Sequence, residues 1–396
     1  MRVKQILRQV WGACAGRIHA VRLAAVVAAV EGLAWGARLS VTGIGRGLRG
    51  STAAKHSIKR IDRLLSNGQL WFERRTLFSA MAHHLLAGVE RPVIAIDWTA
   101  LVGGSHALVA AVPLFGRALP IYLEVHPESR LGNAAVEDRF LRALRDVLPA
   151  DCRPIIVSDA GYRTPFFRSV LAQGWDFVGR IRGVMTMRAA GQELITSKRA
   201  LYELATSRPT ALGAYTLCPK SCANPTGKQL EARLVLVRGR RKPCRGSRSK
   251  LTSNAKRKAA QASKEPWLLA TSLPMSAKRI VRLYATRMQI EETFRDAKNP
   301  RWGWSFRHAR CGHTERMATL LLIASLTSLA MTLLGHAIEM RGQHRAFQAN
   351  TVKTRALSLV VLATQYLQRD RPPPLHASEI AGHIAGVRIA LIELTA

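Results

Sequence analysis

Apolar and polar positions recur at helical spacing through the first ninety residues, and no proline occurs before Pro92. That pattern predicts several consecutive helices. One covers residues 56–70, HSIKRIDRLLSNGQL. There Ile58, Ile61, Leu64 and Leu65 form an apolar stripe, with Lys59, Arg60 and Arg63 off it. At Pro92 the pattern becomes strand-like. PVIAIDWTALVG (92–103), HALVAAVPLF (106–115) and ALPIYLEVH (118–126) are apolar, β-rich runs, and Gly116-Arg117 joins the last two as a hairpin. Val136, Phe140, Leu144 and Val147 then return at helical spacing in AVEDRFLRALRDVLP. RPIIVSDAGY (153–162) reads as a short buried strand ending on Asp159. Thr164-Pro165 opens a helix that Gly174 closes, and WDFVGRIRG is a fifth strand.

This order predicts an α/β fold: a mixed five-stranded sheet with helices on its faces. Residues 184–272 break the rhythm and look strand-like at LEARLVLVRG (230–239) and PWLLATSLP (266–274). They read as a β-rich insertion. From Ser276 helices dominate to the C-terminus. The expected organisation is a helical N-terminal region at 1–90, a first part of the core at 91–183 and the insertion at 184–272. A second part of the core at 273–340 and C-terminal helices at 341–396 complete it.

Charge changes the picture more than composition does. Sixty Lys and Arg against 25 Asp and Glu give a formal charge of +35 over 396 residues. Such a chain repels itself at low salt unless a polyanion is near. Residues 1–91 hold fifteen Lys and Arg against four acids, and residues 238–258 hold ten and no acid. A short basic run is commonly a solvated loop. A chain that is basic throughout fits a long polyanion tracking several domains, and nucleic acid is the first candidate. The helix at 56–70 is then either part of a DNA-binding domain or a plain amphipathic helix with a basic solvent face.

Two apolar stretches test the alternative of a membrane. Glu31 cuts VRLAAVVAAV (21–30) short, and ATLLLIASLTSLAMTLL (318–334) carries five Ser and Thr near the lower length limit for a span. Both fit burial in a large core, and no membrane partner is expected. The first twenty residues lack the apolar core of a signal peptide, so a cytoplasmic protein is expected. Six cysteines in so long a chain do not suggest a disulfide framework. Cys218 and Cys222 lack a fourth ligand at ordered spacing for zinc, and reduced thiols are the default.

Three acids stand out. Asp97 interrupts an otherwise apolar strand, where an unpaired carboxylate costs several kcal/mol, of the order expected on burying a charge. Asp159 ends a second strand. Glu291 lies in YATRMQIEETFRDAK (284–298). Projected as one helix, Tyr284, Arg287, Glu291 and Lys298 fall within about 60° of one another, and Glu292 points roughly 100° from Glu291. Taken alone, this stripe also fits a surface ladder of i,i+4 ion pairs. With Asp97 and Asp159 added, three carboxylates on two strands and a helix suit two divalent ions.

These residues carry a resemblance. The spacing Tyr, two residues, Arg, three, Glu, six, Lys is matched in full at Tyr284, Arg287, Glu291 and Lys298. IAIDWT contains Asp97 and VSDAGYRTPFF contains Asp159. The chain resembles cut-and-paste DDE transposases of the insertion-sequence-four family, particularly the Tn-ten type. The similarity extends over KHSIKRIDRLLSN, KEPWLLATSLP and FQANTVKTRALS, nearly the whole chain. The basic loop 238–258 and CPKSC match least.

The resemblance implies an RNase H-like core and a β-rich insertion between the second aspartate and the glutamate. Here Asp159 and Glu291 are 132 positions apart. It implies Asp97, Asp159 and Glu291 as catalytic metal ligands for Mg2+, with Mn2+ able to substitute. End hydrolysis, a hairpin intermediate and transfer of a 3′-OH into target DNA are the implied steps. A homodimer in the DNA complex is implied because two ends are held together. Tyr284, Arg287 and Lys298 resemble phosphate contacts. Trp267 resembles a residue that stacks on an extruded base, and it also fits a core position at the start of a strand. Arg307, His308 and Arg310 are DNA contacts or a solvated loop. Trp98 points away from Asp97 by strand alternation. His106 and His126 are left out, since Mg2+ prefers oxygen. A nuclease that does not join strands, and a DNA-binding remnant without catalysis, are the rival readings.

Overall fold

The computed structural model describes residues 3–11, 16–35, 38–182, 185–191, 195–219, 229–238, 265–299, 303–306, 309, 311–369 and 377–395. The helices are α1 (Val3–Trp11), α2 (Ala20–Ala34), α3 (Val41–Gly47), α4 (Ala54–Leu65), α5 (Gly68–Leu86), α6 (Ala134–Val147), α7 (Thr164–Ala172) and α8 (Lys198–Glu203). They continue as α9 (Ala277–Thr286), α10 (Met288–Lys298), α11 (Thr314–Met340), α12 (Leu359–Leu367) and α13 (Ala377–Glu393). The strands are β1 (Val93–Ala100), β2 (Ser105–Leu114), β3 (Arg117–Pro127), β4 (Ile155–Ser158), β5 (Asp176–Arg180), β6 (Met185–Ala189), β7 (Ile195–Ser197), β8 (Thr210–Pro219), β9 (Leu230–Val237) and β10 (Trp267–Thr271). The fold is mixed α/β, and the chain forms two compact units, 1–154 with 288–396, and 155–287.

In the first unit, β1, β2 and β3 form an antiparallel meander, with Asp97 opposite Val109 and Val109 opposite Leu123. The turn between β2 and β3 is Phe115-Gly116, both residues at positive φ, one position earlier than the expected Gly116-Arg117, because Arg117 already opens β3. Helix α11 is the spine of this unit. It is apolar nearly all round, and such a helix must be covered on all sides. It touches α2, α5, α12, α13 and β3. It is the one described helix long and apolar enough to cross a membrane, and 83% of that stretch is buried within the protein. Its polar N-terminus is tied to the N-terminal helices. Arg74 donates to the Glu315 carbonyl at 3.0 Å and pairs with the Glu315 carboxylate. Arg316 pairs with Asp62 at 2.6 Å.

Residues 56–70 do not form one helix. α4 ends at Leu65, and Asn67 caps α5 by accepting from the Leu70 amide at 2.9 Å. A side-chain oxygen that satisfies a free amide of the next helix favours a new start over continuation.

In the second unit, β4 and β5 are parallel and joined through α7. β10 pairs antiparallel to β5, and β9, β8, β6 and β7 follow in that order. The strands of residues 184–272 thus continue the β4–β5 ladder. Gly179 in β5 allows this packing, because a Cβ there would stand 2.2 Å from the Phe167 ring of α7. Phe167 in turn stacks on Phe177 at 4.7 Å.

Candidate active site

Asp97 is the fifth residue of β1 and is half-buried. Alternation puts Thr99 on its face and Trp98 on the other. The Trp98 indole donates to Glu137 of α6 at 3.1 Å and meets the His126 ring edge-on at 5.7 Å, so it faces away from Asp97 as expected. On that far face Tyr122 donates to Glu124 at 2.6 Å, and His126 lies 3.0 Å from the other Glu124 oxygen. Burial acts to raise Glu124, but the bonds from His126 and Tyr122 hold it below the ordinary carboxylate range.

Helix α10 lies on the Asp97 face of the meander. Thr293 fastens it: its oxygen accepts from the Ala118 amide at 2.8 Å and its hydroxyl donates to the Ala118 carbonyl at 2.8 Å. Arg117 adds an ion pair to Asp296 at 2.7 Å. Glu291 and Lys298, seven residues apart, share a helix face within about 20°. Glu291 is half-buried. The Lys298 ammonium donates to the Thr99 hydroxyl at 2.9 Å. Glu292 turns elsewhere and pairs with Arg295 at 2.7 Å.

One helix does not carry the whole Tyr-Arg-Glu-Lys stripe. α9 ends at Thr286 and α10 begins at Met288, with Arg287 between them. The Thr286 hydroxyl takes the Leu283 carbonyl at 2.7 Å, and the Arg287 amide bonds Tyr284 at 3.1 Å in a tightened turn. The single projection therefore holds for Glu291 and Lys298 alone.

Within the second unit, Asp159 follows the last residue of β4. One carboxylate oxygen accepts from the Gly161 amide at 2.7 Å. Tyr284 is 3% exposed. Burial, more than the nearby Asp159 charge, raises its phenol pKa, against the opposing effect of Arg287 and Arg180. Its ring meets Trp267 edge-on at 4.9 Å, and the Arg287 guanidinium lies 5.8 Å from its centre. Trp267 opens β10 and stays half-buried.

Lys59, Arg60 and Arg63 are exposed on α4. They line a groove of about 400 Å³ with His56 and with Arg22 of α2, and no acid lines it among the described residues. His56, Lys59, Arg60 and Arg63 stand at i, i+3, i+4 and i+7, a spacing that could have added His56 from sequence. Arg307, His308, Arg310, Cys222, Cys244 and loop 238–258 beyond Arg238 lie outside the described residues. The described thiols Cys152 and Cys311 are free. Among the described residues, no three His, Cys, Asp or Glu side chains are grouped to hold a metal. Taken singly, Asp97, Asp159 and Glu291 each offer oxygen donors only, the chemistry a hard cation takes. Sequence reasoning missed Thr99, Thr293 and Asp296, and only Thr99 carried a signal, two residues beyond Asp97 on a strand.

Residues 89–327 match the model of the transposase DDE domain. The match covers more than half of the chain, and the protein belongs to that family. A search of curated proteins gave no match. Among solved structures, the chain is similar to the piggyBac transposase synaptic complex with hairpin DNA. The identity is 11%, over 96% of this chain and 84% of that one, with a TM-score of 0.36.

Proposed function

We propose that this protein is a cut-and-paste DNA transposase of an insertion sequence, in the insertion-sequence-four family and of Tn-ten type. Family membership supports a transposase. The observation that carries the finer reading is the shared face of α10. Glu291 and Lys298 lie along it, and Lys298 reaches the strand that holds Asp97. An acid and a cation on one face beside a strand carboxylate suit a scissile phosphate better than a surface ion-pair ladder.

Asp97, Asp159 and Glu291 are the catalytic carboxylates and would hold Mg2+, with Mn2+ able to substitute. Such an ion supplies a more acidic bound water and charge stabilisation of the leaving oxygen. Lys298 and Arg287 grip phosphates near the cut, and the Tyr284 phenol, neutral as any tyrosine is near pH 7, adds a hydrogen-bond donor. Trp267 offers a ring face to an unstacked base. Lys59, Arg60 and Arg63 track the backbone of the transposon end through charge. Arg307, His308 and Arg310 are proposed as further contacts.

The reaction begins with hydrolysis at each end, which frees a 3′-OH. That hydroxyl attacks the opposite strand to form a hairpin, water opens it, and the 3′-OH joins target DNA. Two ends must be held together, so the DNA complex is a homodimer. The protein acts on DNA in the cytoplasm, at the nucleoid.

The test is a cleavage assay on the element's own ends with Mg2+, with Ca2+ and without metal, read on denaturing gels. Mg2+-dependent hairpins and joined products are expected. Nicking without joining points to a nuclease, and binding without cleavage under every condition points to a non-catalytic DNA binder.

A further inference from the structure

Thr99 is buried, with 9% of its surface exposed, yet it is polar and lies on the face of β1 that carries Asp97. Strand rise separates the two side chains by about 6–7 Å. Its hydroxyl accepts from the Lys298 ammonium at 2.9 Å, across 199 positions of sequence. The Lys298 stem borders an apolar cavity of about 60 Å³, together with Phe294, Ala297, Leu101 and Val109. A long, flexible side chain is thus laid along an apolar floor, with its charged head at a strand hydroxyl. An ammonium has three donors. Thr99 takes one of them.

We propose that Thr99 is a positioning residue. It fixes the Lys298 head beside the Asp97 strand before DNA arrives, so the phosphate gripped by Lys298 is set in register with the carboxylate. This rests on the transposase reading above. The entropy of ordering a lysine is lost during folding and not during binding or cleavage. Thr99 therefore acts on the rate of cutting more than on the affinity for DNA.

Two substitutions separate this role from packing. Thr99→Val keeps shape and strand preference but removes the acceptor. Thr99→Ser keeps the acceptor. The first readout needs no activity: acylation of Lys298 in the full chain by an amine-reactive reagent, followed by mass spectrometry. Loss of one hydrogen bond of ordinary strength predicts about threefold faster labelling in Thr99→Val. Thr99→Ser is expected to match the wild type. The second readout is single-turnover cleavage at saturating DNA. Thr99→Val is expected to cut about tenfold more slowly with half-saturation unchanged, as for an interaction that matters in the transition state. Thr99→Ser restores the rate, and Thr99→Val adds nothing when Lys298 is already Ala.

The proposal is overturned if Thr99→Val labels like the wild type, or if a cutting wild type and Thr99→Val cut alike. It is overturned as well if Thr99→Ser is as slow as Thr99→Val, or if Thr99→Val slows the Lys298→Ala protein further. A wild type that cuts no DNA in Mg2+ fails the transposase reading and removes Thr99 from any role in cleavage. The labelling contrast then still decides whether Thr99 anchors Lys298.

Discussion

Asp97 stands inside β1, whereas Asp159 stands just past the end of β4, and the two carboxylates are held by different means. The direction of Asp97 is set by the ladder: its strand is paired on both sides of it, from Ala95 to Ala100, with β2. Moving the carboxylate would mean moving the strand. Asp159 has no ladder of its own. Its orientation comes from one amide, that of Gly161, two residues on. A strand carboxylate therefore tolerates changes beside it, while a loop carboxylate depends on a small residue at one position.

Gly161→Ala breaks this comparison most sharply. A Cβ there would sit 3.0 Å from the Asp159 oxygen. The Asp159 carboxylate must give by a few tenths of an ångström, and its aim shifts with it. Cleavage is expected to fall about tenfold, as for misplacement of a reacting group, while the melting temperature barely moves. An equal rate would show that the turn does not set Asp159.

The next effect lies on the Asp97 side. Thr293→Val removes both bonds that fasten α10 to Ala118 and leaves the Ala118 amide and carbonyl to find other partners. The expected loss is about 1–3 kcal/mol of stability, the cost of stranding partly buried polar groups. Urea denaturation measures it, and an unchanged midpoint would mean that α10 is held by its apolar contacts alone.

A smaller effect sharpens the contrast between cutting and holding. Replacing Arg60 by Ala leaves Asp97, Asp159 and Glu291 untouched. It is expected to flatten the plot of log affinity against log salt by about 0.9, the value for one phosphate contact on duplex DNA. An unchanged slope removes Arg60 from the DNA path.

The smallest effect concerns pH. The Tyr122 and Tyr284 phenols are both raised, chiefly by burial. Each raised value favours the folded, protonated state. That stability is fully present below the unfolded value near pH 10 and is lost as pH rises through the raised folded values. Denaturant midpoints should be flat with respect to these groups at neutral pH and decline above about pH 10, less steeply in Tyr284→Phe. An identical decline in that variant would contradict the assignment.

The pattern along the chain was enough to place β1 to β5, α6, α7 and the buried α11, because each rests on local periodicity. Asp97 and Asp159 were visible for the same reason, as charges interrupting apolar runs. The break at Arg287 was not visible: Tyr284, Arg287, Glu291 and Lys298 keep helical spacing, and the Thr286 hydroxyl that competes for Leu283 looks like any other threonine. Nor was the split at Ser66-Asn67, where a capping residue sits within a continuous-looking stripe. The bonds of Lys298 to Thr99 and of Arg117 to Asp296 join distant positions, and no local rule encodes them. The continuation of β5 by β10 was hidden for the same reason.

We propose that Glu291, and not the adjacent Glu292, serves catalysis. The direct test is single-turnover cleavage of the element's ends in Mg2+ by Glu291→Ala and Glu292→Ala, with DNA binding measured alongside. Glu291→Ala is expected to lose on the order of a hundredfold or more in rate, as for removal of a metal ligand, while still binding DNA. Glu292→Ala, which gives up only the pair with Arg295, is expected to cut at the wild-type rate. Equal rates for the two variants, or a greater loss in Glu292→Ala, would contradict the account.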